Sequence, residues 1–90
     1  MANWQVQFTK KAAKQVRDLP KAIQDSLKAL IVELENVGPV RGNWANYSKL
    51  GPSEHHCHLS YRYVACWRVV DGQVVIIEVT YVGTREKAPY

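Results

Sequence analysis

The pattern of apolar residues predicts an α+β domain: a strand, two helices, then three more strands. The helical hairpin is expected on one face of a mostly antiparallel, twisted sheet. Three observations carry this reading. A short alternating run opens the chain, two segments with helical periodicity follow, and the last third is rich in β-branched and aromatic residues.

Trp4, Val6 and Phe8 alternate with Gln5 and Gln7, the mark of a half-buried strand. Thr9 supplies a hydroxyl cap for a helix beginning at Lys10. In that helix Ala12, Val16 and Leu19 share one face, while Lys10, Lys14, Arg17 and Lys21 run along another. Leu19-Pro20 breaks the helix and restarts it, because proline is accepted in a first turn but not in an interior. The second helix carries Ile23, Leu27, Leu30, Ile31, Leu34 and Val37 on one stripe and stops at Gly38-Pro39. Residues 38–55 hold Gly38, Pro39, Gly42, Asn43, Asn46, Gly51 and Pro52 and read as a long irregular loop. Its Trp44 and Tyr47 must either pack or contact a ligand. Three strands then follow, over His56–Ser60, Tyr61–Val70 and Gln73–Val82, with Asp71-Gly72 as a two-residue hairpin turn. In the last strand Val75, Ile77, Val79 and Tyr81 are expected on one apolar face, and Thr84–Tyr90 forms a short tail.

Ninety residues suit one domain spanning 1–90, and 47% hydrophobic with 22% charged residues is a globular composition. No apolar run approaches the ~20 residues of a membrane span, and the first residues lack the pattern of a secretory signal, so a cytoplasmic protein is expected. Cys57 and Cys66 form no disulfide framework and no CxxC pair. Lysine and arginine outnumber aspartate and glutamate twelve to eight, a net charge of +4 that suits a polyanion or an acidic protein as partner.

Period two sorts the chemistry on the middle strands. His56 and His58 project to one face and Cys57 to the other. On the next strand Tyr61, Tyr63, Ala65 and Trp67 form a core face, leaving Arg62, Val64, Cys66 and Arg68 on the opposite side. That side, with Arg85 and Tyr90 following the last strand, gathers histidines, arginines and a tyrosine. Such a set suits RNA cleavage without a metal. Histidine titrates near neutrality and can take or give a proton, arginine stabilises charge on a phosphate, and tyrosine can exchange a proton beside cations. Each residue also has a plainer reading: Arg68, for example, as an ion-pair partner of Glu78, and Tyr90 as an unordered end. Although His55-His56-Cys57-His58 is dense in potential ligands, only His56 and His58 converge and no zinc motif is matched. Neither a metal nor another cofactor is therefore expected, and no P-loop, dinucleotide or Gly-x-Ser-x-Gly motif occurs.

The stretch Tyr61-Arg62-Tyr63-Val64, the run Val69–Val75 and the closing Tyr81-Val82-Gly83-Thr84-Arg85-Glu86 resemble the RelE/ParE superfamily of bacterial toxins. The resemblance covers nearly the whole chain in architecture and its last third in motif. It implies a type II toxin that cleaves messenger RNA in the ribosomal A site and is held inactive by a cognate antitoxin. It also implies catalytic roles for Arg62, Arg85 and Tyr90, although the spacing to Tyr90 is slightly shorter than in the family. Where the best-known member carries two alternating lysines, this chain has His56 and His58, which are expected to share proton transfer. Lys10, Lys14, Arg17, Lys49 and Arg68 are expected to contact RNA. The alternative is the ParE branch, which has the same fold and poisons DNA gyrase by protein binding.

Overall fold

The computed structural model describes residues 4–70 and 76–90; the Asp71-Gly72 turn and Val75 lie outside them. Strand β1 (Gln5–Phe8) leads into α1 (Lys10–Arg17) and α2 (Lys21–Val37), followed by β2 (Ser48–Lys49), β3 (Glu54–His58), β4 (Tyr63–Val70), β5 (Ile76–Thr84) and a 3-10 turn over Arg85–Lys87. The strands form one sheet in the order β1-β5-β4-β3-β2. Among the described residues only the β1–β5 pair is parallel. The α+β class and the element order agree with the sequence, except that the long loop contributes a fifth, two-residue strand.

Local chemistry accounts for the helix ends. Thr9 Oγ1 accepts the Ala12 N–H at 3.0 Å, capping α1. Pro20 breaks the helices, and Gln24 Nε2 bridges the break by donating to the carbonyls of Val16 and Leu19. α2 ends at Gly38, whose φ of 110° is left-handed and whose Cα faces the Trp4 ring at the close approach only glycine permits. Val37, expected on the apolar stripe, is exposed at the last residue of the helix.

The core lies between the helices and one face of the sheet. Leu27, Leu30 and Leu34 of α2 and Ala12 of α1 meet Cys57, Ala65, Trp67, Ile77, Val79 and Val82. Trp44 and Tyr47 of the long loop pack on this core, and the Trp67 indole donates to the Pro39 carbonyl at 3.0 Å, tying the loop's start to β4. β1 pairs with β5 only as far as Val79. Beyond it Gln15 of α1 takes over, its Oε1 accepting the Val82 N–H at 3.1 Å.

One strand expectation fails in an informative way. Ile77 and Val79 face the helices as period two requires, but Tyr81 belongs to a cluster with Val64 and Cys66 on the other face. The register explains it: Cys66 pairs with Tyr81 but Trp67 pairs with Val79, so Thr80 is an extra residue and β5 is bulged there. Alternation restarts after the bulge, which turns Tyr81 outward and Val82 inward.

Candidate active site

The sheet face away from the helices carries the candidate site. At its centre is the small cluster of Val64, Cys66 and Tyr81, with Ala88 of the tail packed against it. Tyr81 Oη donates to the Thr84 carbonyl at 2.6 Å, and its ring passes so close to Gly83 that a Cβ there would sit 2.8 Å from the hydroxyl. Tyr81 and Gly83 together shape the exit of β5 toward Arg85.

β3 is antiparallel to β4, with His56 opposite Cys66 and His58 opposite Val64. Both histidines therefore lie on this outer face. Their ring centroids are 5.9 Å apart, and Tyr90 lies 4.5 Å from His56. Ser48 of β2 pairs with His56, and its Oγ is 3.1 Å from His56 Nδ1. His56 is buried, and burial pushes its pKa below the ordinary histidine value, helped by the His58 charge and opposed by Ser48. Burial raises the Tyr90 phenol, and the Arg85 charge pulls the other way. At neutral pH, then, the face presents a neutral imidazole beside a protonated phenol.

Arg62 and Arg85 sit at the end of this face. Arg62 does not belong to β4, as the alternation suggested. It occupies the β3–β4 turn, closed by Leu59 N–H donating to the Tyr63 carbonyl at 2.8 Å. Arg85 N–H donates to the Arg62 carbonyl at 2.8 Å, which fixes the two backbones side by side. The Arg85 guanidinium carbon lies 4.5 Å from the centre of the Tyr61 ring. A cleft of about 290 Å³ opens between Tyr61, Arg62, Tyr63, Thr84, Arg85 and Glu86.

The expected RNA-contacting cations do not all converge here. Arg68 is on the outer face but forms an ion pair with Glu78, Nη2 to Oε1 2.7 Å and Nε to the same oxygen 2.8 Å. This is the plainer of its two readings. Lys49 pairs with His55 in register and so belongs to the helix-side face. Lys10, Lys14 and Arg17 are exposed on α1, in the helical layer behind the sheet.

Two participants escaped the sequence reading. Ser48 lay in a segment read as loop, and only its pairing with β3 places it on His56. His55 is buried against Trp67, rings parallel at 5.9 Å, and shares a 2.7 Å hydrogen bond between its Nδ1 and the Tyr47 hydroxyl. It holds the long loop to the sheet. Its signal was available: a residue on the Cys57 face must point into the core. Cys57 and Cys66 are unbonded and buried, their thiols pushed up to about 12 by burial, so neither is a nucleophile at neutral pH. Among the described residues no three His, Cys, Asp or Glu side chains come together as a metal centre.

No family model matches the chain, and no curated protein matches it in sequence. Solved structures do match. A double arginine-to-alanine variant of the toxin RelE from E. coli, in the free state, is 26% identical, with a TM-score of 0.74 over 98% of this chain and 88% of that one. The fold is the one shared by the RelE-type toxins. YafQ of the E. coli DinJ-YafQ toxin-antitoxin complex superposes with a TM-score of 0.77 at 14% identity, over 98% of this chain and 99% of that one. RelE from the archaeal RelE-RelB complex of Pyrococcus horikoshii gives 0.72 at 18% identity, over 96% and 99%. These RelE/ParE neighbours are toxins, two of them solved with their antitoxins.

Proposed function

We propose that the chain is the toxin of a type II toxin–antitoxin system and an endoribonuclease that cleaves messenger RNA in the ribosomal A site, in the cytoplasm, without a metal. The observation that carries this reading is the outer sheet face: a neutral imidazole, a second histidine and a phenol stand beside two arginines whose backbones are hydrogen-bonded together.

In the tautomer whose Nδ1–H donates to Ser48 Oγ, His56 Nε2 keeps its lone pair and serves as general base. It takes the proton of a ribose 2′-hydroxyl. The 2′-oxygen bonds to phosphorus, the bond from phosphorus to the 5′-oxygen breaks, and that oxygen receives a proton from Tyr90 or His58. The products are a 2′,3′-cyclic phosphate and a 5′-hydroxyl. Arg62 and Arg85 face the charge that grows on the phosphoryl oxygens. Because Tyr90 covers His56, the tail must shift to admit the substrate strand. The cations of α1 lie behind the sheet and suit contact with a larger RNA body, while Lys49 on the helix-side face and Arg68, paired with Glu78, are left out of the site. An antitoxin is the expected protein partner, laying an acidic or amphipathic segment over the basic surface.

The test is cleavage of messenger RNA by the purified chain, with and without programmed ribosomes and with EDTA present. Cuts that need ribosomes, survive EDTA and disappear in His58→Ala and Arg85→Ala support the proposal. Cuts on free RNA would remove the ribosome from it. Growth arrest in cells with no cuts under any condition would overturn it and favour gyrase as target.

A further inference from the structure

The chain's large rings are mostly spent on packing: Trp67 is 1% exposed and Tyr81 6%. Tyr61 is the opposite, 77% exposed at the tip of the β3–β4 turn, outside the core. One face of its ring carries the Arg85 guanidinium, whose carbon is 4.5 Å from the ring centre, and Arg85 Nη2 reaches the Tyr61 hydroxyl at 3.4 Å. The rest of the ring borders the cleft shared with Arg62 and Arg85.

This geometry performs two tasks. A guanidinium lying over a ring spends its π surface on the contact and keeps its in-plane N–H donors, the groups that grip a phosphate in paired fashion. The ring and its hydroxyl thus aim Arg85, engaging one Nη2 donor and leaving the others for a phosphate. The exposed ring surface is also a flat π surface beside two cations, the combination that holds unpaired bases. Glu86 also lines the cleft, and a carboxylate there disfavours a phosphate beside it. The phosphate is then drawn to the arginine edge and the neutral base to the ring.

We infer that Tyr61 is a positioning and base-stacking residue: it orients Arg85 toward the scissile phosphate and stacks an unpaired base of the nucleotide flanking that phosphate. This rests on the ribonuclease reading and adds to it a second, independent handle on the RNA.

Three variants separate the parts of this inference. Tyr61→Leu keeps bulk but removes the ring, Tyr61→Phe keeps the ring, and Tyr61→Trp enlarges it; at so exposed a position all three should fold. On programmed ribosomes Tyr61→Leu is expected to lose on the order of tenfold or more in kcat/KM, the scale of one base stack, with Phe and Trp restoring most of it. The direct readout uses a messenger RNA with 2-aminopurine beside a 2′-O-methylated scissile nucleotide, which blocks cleavage. Its fluorescence should be quenched by the native chain and by Tyr61→Phe, and not by Tyr61→Leu. If Tyr61→Leu cleaves as well as the native chain, or quenches the probe equally, the inference is wrong while the nuclease stands. If the native chain itself neither cuts nor binds RNA, the nuclease reading fails and this inference with it.

Discussion

The two faces of the sheet are built from the same strands and do opposite work. Cys57, Ala65, Trp67, Ile77, Val79 and Val82 point to the helices and are almost wholly buried, a face that needs only volume and shape. Behind it Val64, Cys66 and Tyr81 make a much smaller apolar patch, overlain by Ala88 and flanked by His56, His58 and Tyr90, with Arg62 and Arg85 at its end. Neighbours in the chain can thus have unrelated fates. His56 is a candidate base, while Cys57 beside it is an inert core thiol. In so small a domain the strand's alternation would let one segment serve both stability and the proposed chemistry, and the two should be separable by mutation.

The largest separation is expected from the charged end of the outer face. Arg85→Ala should lower cleavage on the order of a hundredfold to a thousandfold, and Arg85→Lys should recover little, since lysine lacks the paired planar donors. Thermal melting should hardly change, because Arg85 is exposed. The converse is Trp67→Ala on the helix side, expected to cost about 3–5 kcal/mol in chemical denaturation. It empties the largest buried side chain's place and breaks its bond to Pro39. Gly83→Ala should cross the divide. Its Cβ would press on Tyr81 and force a shift, costing about 1–3 kcal/mol and lowering cleavage by displacing the exit toward Arg85.

Acidity should blur the two faces together. Burial depresses the pKa of both His55, on the core side, and His56, on the outer side. A depressed folded-state pKa means that the unfolded chain binds more protons in the window just below the ordinary value of ~6.5, so stability rises with pH there. The melting temperature should therefore be level above that value and fall as pH drops below it. Activity should decline at lower pH than stability begins to, because folded His56 takes a proton only below its depressed pKa. A melting temperature unchanged down to pH 5 would contradict the burial of these rings. The smallest effect is expected at Arg68. Its pair with Glu78 is exposed, so Arg68→Ala should change stability by no more than about 1 kcal/mol, and cleavage little, because Glu78 already offsets its charge.

Much of this contrast was legible in the sequence. The placement of His56 and His58 opposite Cys57, the Thr9 cap and the break at Leu19-Pro20 all follow from local rules. What local rules missed depends on pairing between distant segments. The bulge at Thr80 is a property of the β4–β5 register, and without it Tyr81 is assigned to the wrong face. Ser48 and Lys49 become strand residues only because β3 offers an edge. Arg62 leaves the strand because the turn before β4 closes on Tyr63. Tyr61 could not be separated from Tyr63 by period alone, since only the fold shows that one is bare and the other packed.

The ends of the cleaved RNA report the chemistry of the outer face most directly. Fragments from programmed ribosomes treated with the native chain should carry a 2′,3′-cyclic phosphate upstream and a 5′-hydroxyl downstream, and a His56→Gln variant of unchanged fold should yield far fewer of them. A 5′-phosphate product, or undiminished cleavage by His56→Gln, would contradict internal attack by the 2′-hydroxyl under His56 and send the search for the working groups elsewhere in the molecule.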